Sequence, residues 1–329
     1  MEHFAGRIAV LTGGGTGMGR ELARQLTKEG CHVAMCDVSD ENMAETRDLC
    51  LAEAPEGTRV TTFVADVSDE AALLAWRDQI VADFATDHVH LLFNNAGIGG
   101  GGSFVSDTRS EWETTFNVCW GGVYLGCRTF MPLLVAAPEA HVINTASVNG
   151  FWASLGPGIP HTAYSAAKFA VKGFTEALIT DLRINAPHVK CSVVMPGHIG
   201  TSIAINSGKF FGRDPKSLTP EQLQTLRDRM AKRGIDLSAA SDEDLRVGMQ
   251  MQAESFRDNA PTTAAQAATV ILDGVRAERW RILVGDDAVS LDELVRELPE
   301  MAYGDEFLPH LKARGLFSFA TASLDDERD

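Results

Sequence analysis

The sequence predicts a doubly wound, parallel α/β sheet, and three observations carry that prediction. Short apolar runs alternate with amphipathic stretches of helical period from Ile8 to about Met195. A glycine-rich turn follows the first run directly and opens into a helix. Residues able to do chemistry recur just beyond the apolar runs, at the carboxyl ends of the expected strands, where open α/β sheets bind ligands.

The elements follow in order. Ile8-Ala9-Val10-Leu11 reads as a buried parallel strand. It enters Thr12-Gly13-Gly14-Gly15-Thr16-Gly17-Met18-Gly19, and a helix follows to Lys28. Glycines there let backbone approach a pyrophosphate, and a helix N-terminus offers free N–H groups and a positive dipole end. The spacing is T-G-x-x-x-G-x-G rather than G-x-G-x-x-G, so a simple turn competes with a dinucleotide site. Val33 to Cys36 forms the second strand. Asp37 at its end is placed to accept adenosine ribose hydroxyls and to repel a 2′-phosphate; the alternative is a turn cap. No Arg or Lys lies within the glycine loop or from Val38 to Asp40.

A helix from about Glu41 to Glu53 precedes a third strand, Val60 to Ala65, which closes on Asp66-Val67; Ser68 is expected to cap the next helix, to about Phe84. Asp66 is either a turn residue or a neighbour of the adenine. His90 to Phe93 is the fourth strand, ending in Asn94-Asn95-Ala96-Gly97 and the run Gly99 to Gly102. That run either lets a flat ligand lie on backbone or is a flexible loop. Asp107 to about Met131 reads as one long helix, with Asn117 among apolar neighbours and so expected to be buried. Gly121-Gly122 marks close packing or a kink within it.

The fifth strand, His141 to Thr145, leads to Ser147. The loop Phe151 to His161 is apolar and rich in Gly and Pro, so it is expected to wall a substrate pocket through Phe151, Trp152, Leu155 and Ile159. Tyr164 and Lys168 then lie one turn apart on a helix running to about Ile184. A phenol beside an ammonium is a device for making phenolate. Working near neutrality needs a depression of roughly three pH units from ~10, or about 4 kcal/mol, and a fixed cation supplies part of it. Tyr-x-x-x-Lys alone also arises by chance on helix surfaces. The sixth strand, Lys190 to Met195, is followed by Pro196-Gly197-His198-Ile199-Gly200-Thr201.

Alternation stops between Ser202 and Pro261. Two capped helices are expected there, Pro220 to about Arg233 and Ser241 to about Asn259. The segment 202–261 reads as a helical substrate lid carrying Ile203, Ile205, Phe210 and Phe211, or else as an oligomer contact or surface insertion. A helix capped at Thr263 and a last strand, Arg281 to Gly285, complete a single domain over 1–285; 286–329 is a helical extension ending in an acidic, frayed tail.

Bulk properties exclude several classes. A net charge of −16 argues against nucleic acid and anionic membrane partners. Six cysteines without C-x-x-C or Cys/His clusters read as reduced core thiols, with no metal site. No signal peptide and no apolar run of membrane-spanning length is expected, so the protein is read as soluble and cytoplasmic.

The ordered set Thr12-Gly13-x-x-x-Gly17-x-Gly19, Asp66-Val67, Asn94-Asn95-Ala96-Gly97, Asn117, Ser147, Tyr164-x-x-x-Lys168 and Pro196-Gly197-x-Ile199-x-Thr201 resembles the short-chain dehydrogenase/reductase family, in its shorter single-domain branch with a Rossmann fold. The match covers roughly Gly6 to Gly285. The resemblance implies catalytic Asn117, Ser147, Tyr164 and Lys168, with Asn117 holding a water that links Lys168 to solvent. It assigns an NAD cofactor to Gly13, Thr16, Gly17, Met18, Gly19, Asp37, Asp66, Val67, Asn94, Ala96, Gly97, Tyr164, Lys168, Pro196, Gly197, Ile199 and Thr201. A substrate pocket would be formed by Ser147, Phe151, Trp152, Leu155, Tyr164, His198 and Ile203, with His198 as lining rather than acid or base. The implied reaction moves hydride between NAD(H) and a fairly apolar secondary alcohol or ketone. Alternatives are an NADPH-dependent 3-oxoacyl thioester reductase and a cofactor-sensing protein without turnover. A homodimer or homotetramer is expected by the same resemblance. The longer spacing from Ser147 to Tyr164, the excursion and the extension depart from the family's usual lengths.

Overall fold

A computed structural model describes residues 1–156, 159–231 and 234–316. Seven parallel strands form the sheet: β1 (Ile8–Thr12), β2 (His32–Asp37), β3 (Val60–Val64), β4 (Leu91–Asn94), β5 (Ala140–Thr145), β6 (Val189–Pro196) and, last in the chain, β9 (Arg281–Val284). Their order is β3-β2-β1-β4-β5-β6-β9. The chain therefore winds outward from β1 in one direction and then restarts at β4 on its other side. That reversal opens a crevice at the carboxyl ends of β1 and β4.

Burial on both faces explains the apolar runs. In β1, Ile8 and Val10 enter the core on one face while Ala9 and Leu11 enter the core on the other. Helices α1 (Gly17–Lys28), α2 (Asp40–Glu53) and α10 (Ala264–Arg276) serve the second face. α3 (Glu70–Phe84), α5 (Gly122–Ala136) and α6 (Thr162–Asn185) serve the first. The cap of α3 is Asp69, whose carboxylate accepts from Ala71 N and Ala72 N; the expected cap, Ser68, instead donates to Asp66. An acid caps better here because two N–H groups converge on one oxygen.

The expected long helix is three segments: α4 (Arg109–Phe116), a π turn over Asn117–Gly121, and α5. A π turn admits an extra residue and rotates the side-chain face that follows it. Gly122 is required because a Cβ there would lie 2.6 Å from Val67 Cγ2. Arg109–Ala136 as a whole reaches membrane-spanning length and apolarity, contrary to the expectation, but half of the apolar window is buried against the sheet. That burial is what a core helix shows.

The excursion after β6 begins with β7 (Ile199–Gly200) and holds α7 (Ile203–Phe210), α8 (Pro220–Ala231) and α9 (Asp242–Asp258) around a small core of Leu218, Leu223 and Leu245. β8 (Thr262–Thr263) returns the chain by pairing with β7. The extension contributes α11 (Asp286–Glu297) and α12 (Leu308–Ala313). Asp286 and Asp287 occupy the first turn of α11, where the helix dipole favours acids. Pro157 and Gly158 of the expected pocket wall, Lys232 and Arg233 at the expected end of α8, and the acidic tail lie outside the described residues.

Candidate active site

The glycine loop is built backbone against backbone. Gly13 N and Gly14 N both donate to Cys36 O, at 2.8 and 3.1 Å. Gly13 has φ +70°, and a Cβ there would lie 2.8 Å from Ala96 Cα. Gly17 has φ +55°, and a Cβ on Gly19 would collide with Gly13 O. Thr16 precedes α1 without capping it, so the helix's first N–H groups face the crevice unpaired by a side chain. Thr12 Oγ1 accepts from Asn95 N and Ala96 N, each at 3.0 Å. Asn95 Nδ2 returns to Thr12 O and Gly13 O. Asn95 is thus the bolt between the loop and β4, a role that sequence reasoning missed although the Asn-Asn pair at a strand end marks the place.

Asp37 accepts from Gly15 N at 3.0 Å and Ser39 N at 3.1 Å. Arg20, which reaches the same loop, is engaged with Glu45, Thr46 and Gly15 O. Asp66 is an exposed turn residue accepting from Ser68. Val67 packs beneath Gly122. Asn94 turns its side chain inward, donating to Asn144 Oδ1 at 2.8 Å and lying against Gly126. Its side chain is thus spent inside the core, and any part in holding a cofactor falls to its backbone.

A cavity of about 970 Å³ runs along the carboxyl ends of the strands beneath the excursion. Met18, Gly97, Ser147, Tyr164, Lys168 and the Pro196–Ile199 turn with Thr201 all line it. The Ser147 hydroxyl is placed to lower the Tyr164 phenol's pKa. Lys168 is buried, its Nζ donates to Thr145 O at 2.8 Å, and it stands 5.3 Å from the Tyr164 ring centre. Three of the four expected catalytic residues therefore converge.

Asn117 does not converge with them. The π turn that begins at Asn117 leaves its side chain exposed rather than buried among its apolar neighbours. Two residues on, Cys119 is buried, with Sγ 3.2 Å from Ile98 O. Cys119 Sγ and Lys168 Nζ lie equally close, 3.6 Å each, to a Cβ placed on Gly97. The thiol, not the amide, faces the lysine.

The electrostatics also correct the simple phenolate picture. Burial pushes the Tyr164 phenol above its ordinary value, a thiolate at Cys119 would push it further, and the nearby Ser147 hydroxyl pulls it back only in part. Burial likewise lowers Lys168. In the protein alone the proton stays on the phenol.

The pocket wall is partly reassigned. Leu155, Ile159, His198, Ile203, Ile205 and Phe211 line the cavity. Trp152 does not: it is 1% exposed, packs with the extension and donates from Nε1 to Ala302 O at 2.7 Å. Phe151 packs between the main core and the same extension, and Phe210 is 42% exposed. Trp152 and Phe151 are covered by the extension, so they need no ligand to hide them. The Gly99–Gly102 run is firmly packed: Gly101 O and Gly102 O accept from Ala163 N and Thr162 N, at 3.0 and 2.9 Å. His161 also lines the cavity, 4.7 Å from the Tyr164 ring centre, and burial lowers it to about 4. All six cysteines are buried and free.

Comparison with known proteins agrees with this architecture. The family described as short chain dehydrogenase matches residues 7–210. The Mycobacterium tuberculosis protein SadH is 34% identical over 296 residues, which span 90% of this chain and 92% of that protein. Levodione reductase of Leifsonia aquatica is 33% identical over 230 residues, 68% of this chain and 80% of that one. Among solved structures, a short-chain dehydrogenase/reductase from Burkholderia phymatum in complex with NAD superposes with a TM-score of 0.71 at 30% identity, covering 92% of this chain and 96% of that one. With its sheet order, its glycine crevice and its Ser147–Tyr164–Lys168 cluster on one cavity, the chain belongs to the short-chain dehydrogenase family of oxidoreductases.

Proposed function

We propose that the protein moves a hydride between NAD(H) and a fairly apolar secondary alcohol or ketone, with Tyr164 as general acid and base. The observation that carries the reading is the convergence of Ser147, Tyr164 and Lys168 on a cavity that also includes Met18 and the Pro196–Thr201 turn. The bare backbone of the crevice, which a Cβ at Gly13 or Gly19 would fill, and the uncapped start of α1 fit a pyrophosphate. Asp37 suits a ribose diol, and Arg20, which bonds the glycine loop, is engaged by Glu45 rather than held ready for a 2′-phosphate. NAD is therefore favoured over NADP, in keeping with the NAD bound to the Burkholderia phymatum protein.

When bound, the nicotinamide accepts or supplies the hydride, and its oxidised ring adds positive charge near Tyr164. The protein's own groups handle the proton. Tyr164 Oη donates it to the substrate oxygen in reduction and removes it in oxidation. Ser147 Oγ donates a hydrogen bond to the same oxygen as charge develops. Lys168 holds a cation beside the phenol and keeps two N–H bonds beyond Thr145 O for ribose hydroxyls or water. Asn117 has no place in this proton path. Leu155, Ile159, Ile203 and Phe211 exclude water and select apolar carbon around the carbinol.

The test is a panel of apolar ketones followed by absorbance of NADH and of NADPH. Turnover with NADH at least about tenfold more efficient than with NADPH is expected from one missing phosphate partner and one repelling carboxylate. A preference for NADPH overturns the cofactor assignment. NADH binding without oxidation across the panel overturns the enzymatic reading in favour of a cofactor sensor.

A further inference from the structure

The C-terminal extension reaches the cavity's lining through one carboxylate. Asp287, in the first turn of α11, accepts the backbone N–H of His198 on Oδ2 at 2.6 Å. His198 is in the Pro196–Thr201 turn, which lines the cavity and whose Thr201 lies beside Gly17 of the glycine loop. Two glycines make room for the contact. A Cβ on Gly197 or on Gly285 would collide with the Asp287 carboxylate. Gly197 N in turn donates to Val284 O at 2.9 Å, tying the turn to the strand from which α11 departs.

The other carboxylate oxygen, Oδ1, is buried and accepts no hydrogen bond among the described residues. Burial accordingly holds the Asp287 carboxyl above its ordinary value, against the pull of the His198 and Ala288 N–H groups. A buried acid that is only half satisfied costs stability, so packing alone does not explain it. What it supplies is a fixed acceptor for one backbone amide of the turn. The remaining sides of the turn are held too. His198 Nε2 sits 2.7 Å from Phe256 O on α9 and carries the proton of that bond, and Ile199–Gly200 pairs with Thr262–Thr263.

We propose that Asp287 is a positioning residue for the nicotinamide cofactor: the extension holds the Pro196–Thr201 turn in the shape that receives it. The inference rests on the function proposed above and adds a role for the extension. Asp287 meets no reacting atom; it acts through the backbone of His198 and Gly197.

The experiment measures the NADH dissociation constant by fluorescence, the melting temperature of the free protein, and kcat at saturating NADH, in the full chain. Asp287→Ala weakens NADH about tenfold or more, because the loss is a charge-assisted hydrogen bond that orders the turn. Asp287→Asn stays within about threefold of wild type, since its amide oxygen still accepts the His198 N–H. In both, kcat falls by less than about threefold, which separates positioning of the cofactor from chemistry. Should the alanine variant fail to fold, Asp287→Glu carries the same expectation of weakened NADH, because its longer side chain moves the acceptor off the turn. An alanine or glutamate variant that folds and binds NADH within about twofold of wild type overturns the inference alone. A wild-type protein that binds neither NADH nor NADPH overturns the inference and the proposed function together.

Discussion

The two sides of the cavity are made differently. On the β1–β4 side, backbone meets backbone: Gly13 abuts Ala96, and Thr12 and Asn95 bolt the two strand ends with four hydrogen bonds. On the excursion side, side chains reach across. Arg213 pairs with Glu111 and Arg229 with Asp107, each at 3.1 Å, while Asn206 donates to Thr16 Oγ1 and Gly99 N donates to Ser207 Oγ. The first wall has almost no freedom to move without breaking the sheet. The second is a small separate core latched by a few polar contacts, and such regions open at lower free energy. The contrast teaches that the glycine crevice is built into the rigid wall and that selectivity can vary on the latched one.

Substitutions test that contrast in descending order of effect. Tyr164→Phe lowers kcat by ~10²–10⁴ while leaving the melting temperature and NADH affinity nearly unchanged, because only the transferable proton is lost; initial rates and thermal melts check it. The raised phenol also sets the pH profile of the free enzyme. For oxidation, kcat/KM falls about tenfold per pH unit below the phenol's pKa, whereas ketone reduction stays level from about pH 6 to pH 9. Gly13→Val forces a branched side chain onto φ +70° and into Ala96, costing roughly 1–3 kcal/mol of stability and most NADH binding; calorimetry measures both. Arg229→Ala opens the latch and leaves the Asp107 carboxylate, 7% exposed, without its cation. We expect KM for the ketone to rise several-fold with kcat changed less than about threefold. A collapse of kcat there breaks the division between the two walls. Asn117→Ala, at an exposed position outside the proton path, changes kcat by less than about twofold.

How much was legible follows the same division. The strands, the glycine loop and the Tyr164–Lys168 pair were readable because period, glycine spacing and helical register are local. Asp37 at the end of β2 and the capping boxes of α9 and α10 were readable for the same reason. Asn117 was misread because its apolar neighbours imply burial only in a regular helix. The π turn instead leaves Asn117 exposed and sets Cys119 toward Lys168. The Gly121-Gly122 pair was the available signal. Trp152 was misread because its covering partner, Ala302, lies 150 residues away and leaves no mark in the loop's own sequence. Asp287 was invisible on the same grounds: a second acid in a helix's first turn reads as a dipole partner until the glycines at 197 and 285 are seen beside it.

The central claim is that hydride passes directly between nicotinamide and a carbonyl carbon held against Tyr164. It is tested most directly by supplying NADH deuterated at the transferring position with an apolar ketone that wild type reduces, and weighing the alcohol formed. The account predicts one deuterium on the carbinol carbon, with the oxygen-bound proton drawn from solvent through Tyr164. An alcohol without deuterium, or the same yield from Tyr164→Phe at an undiminished rate, would contradict it.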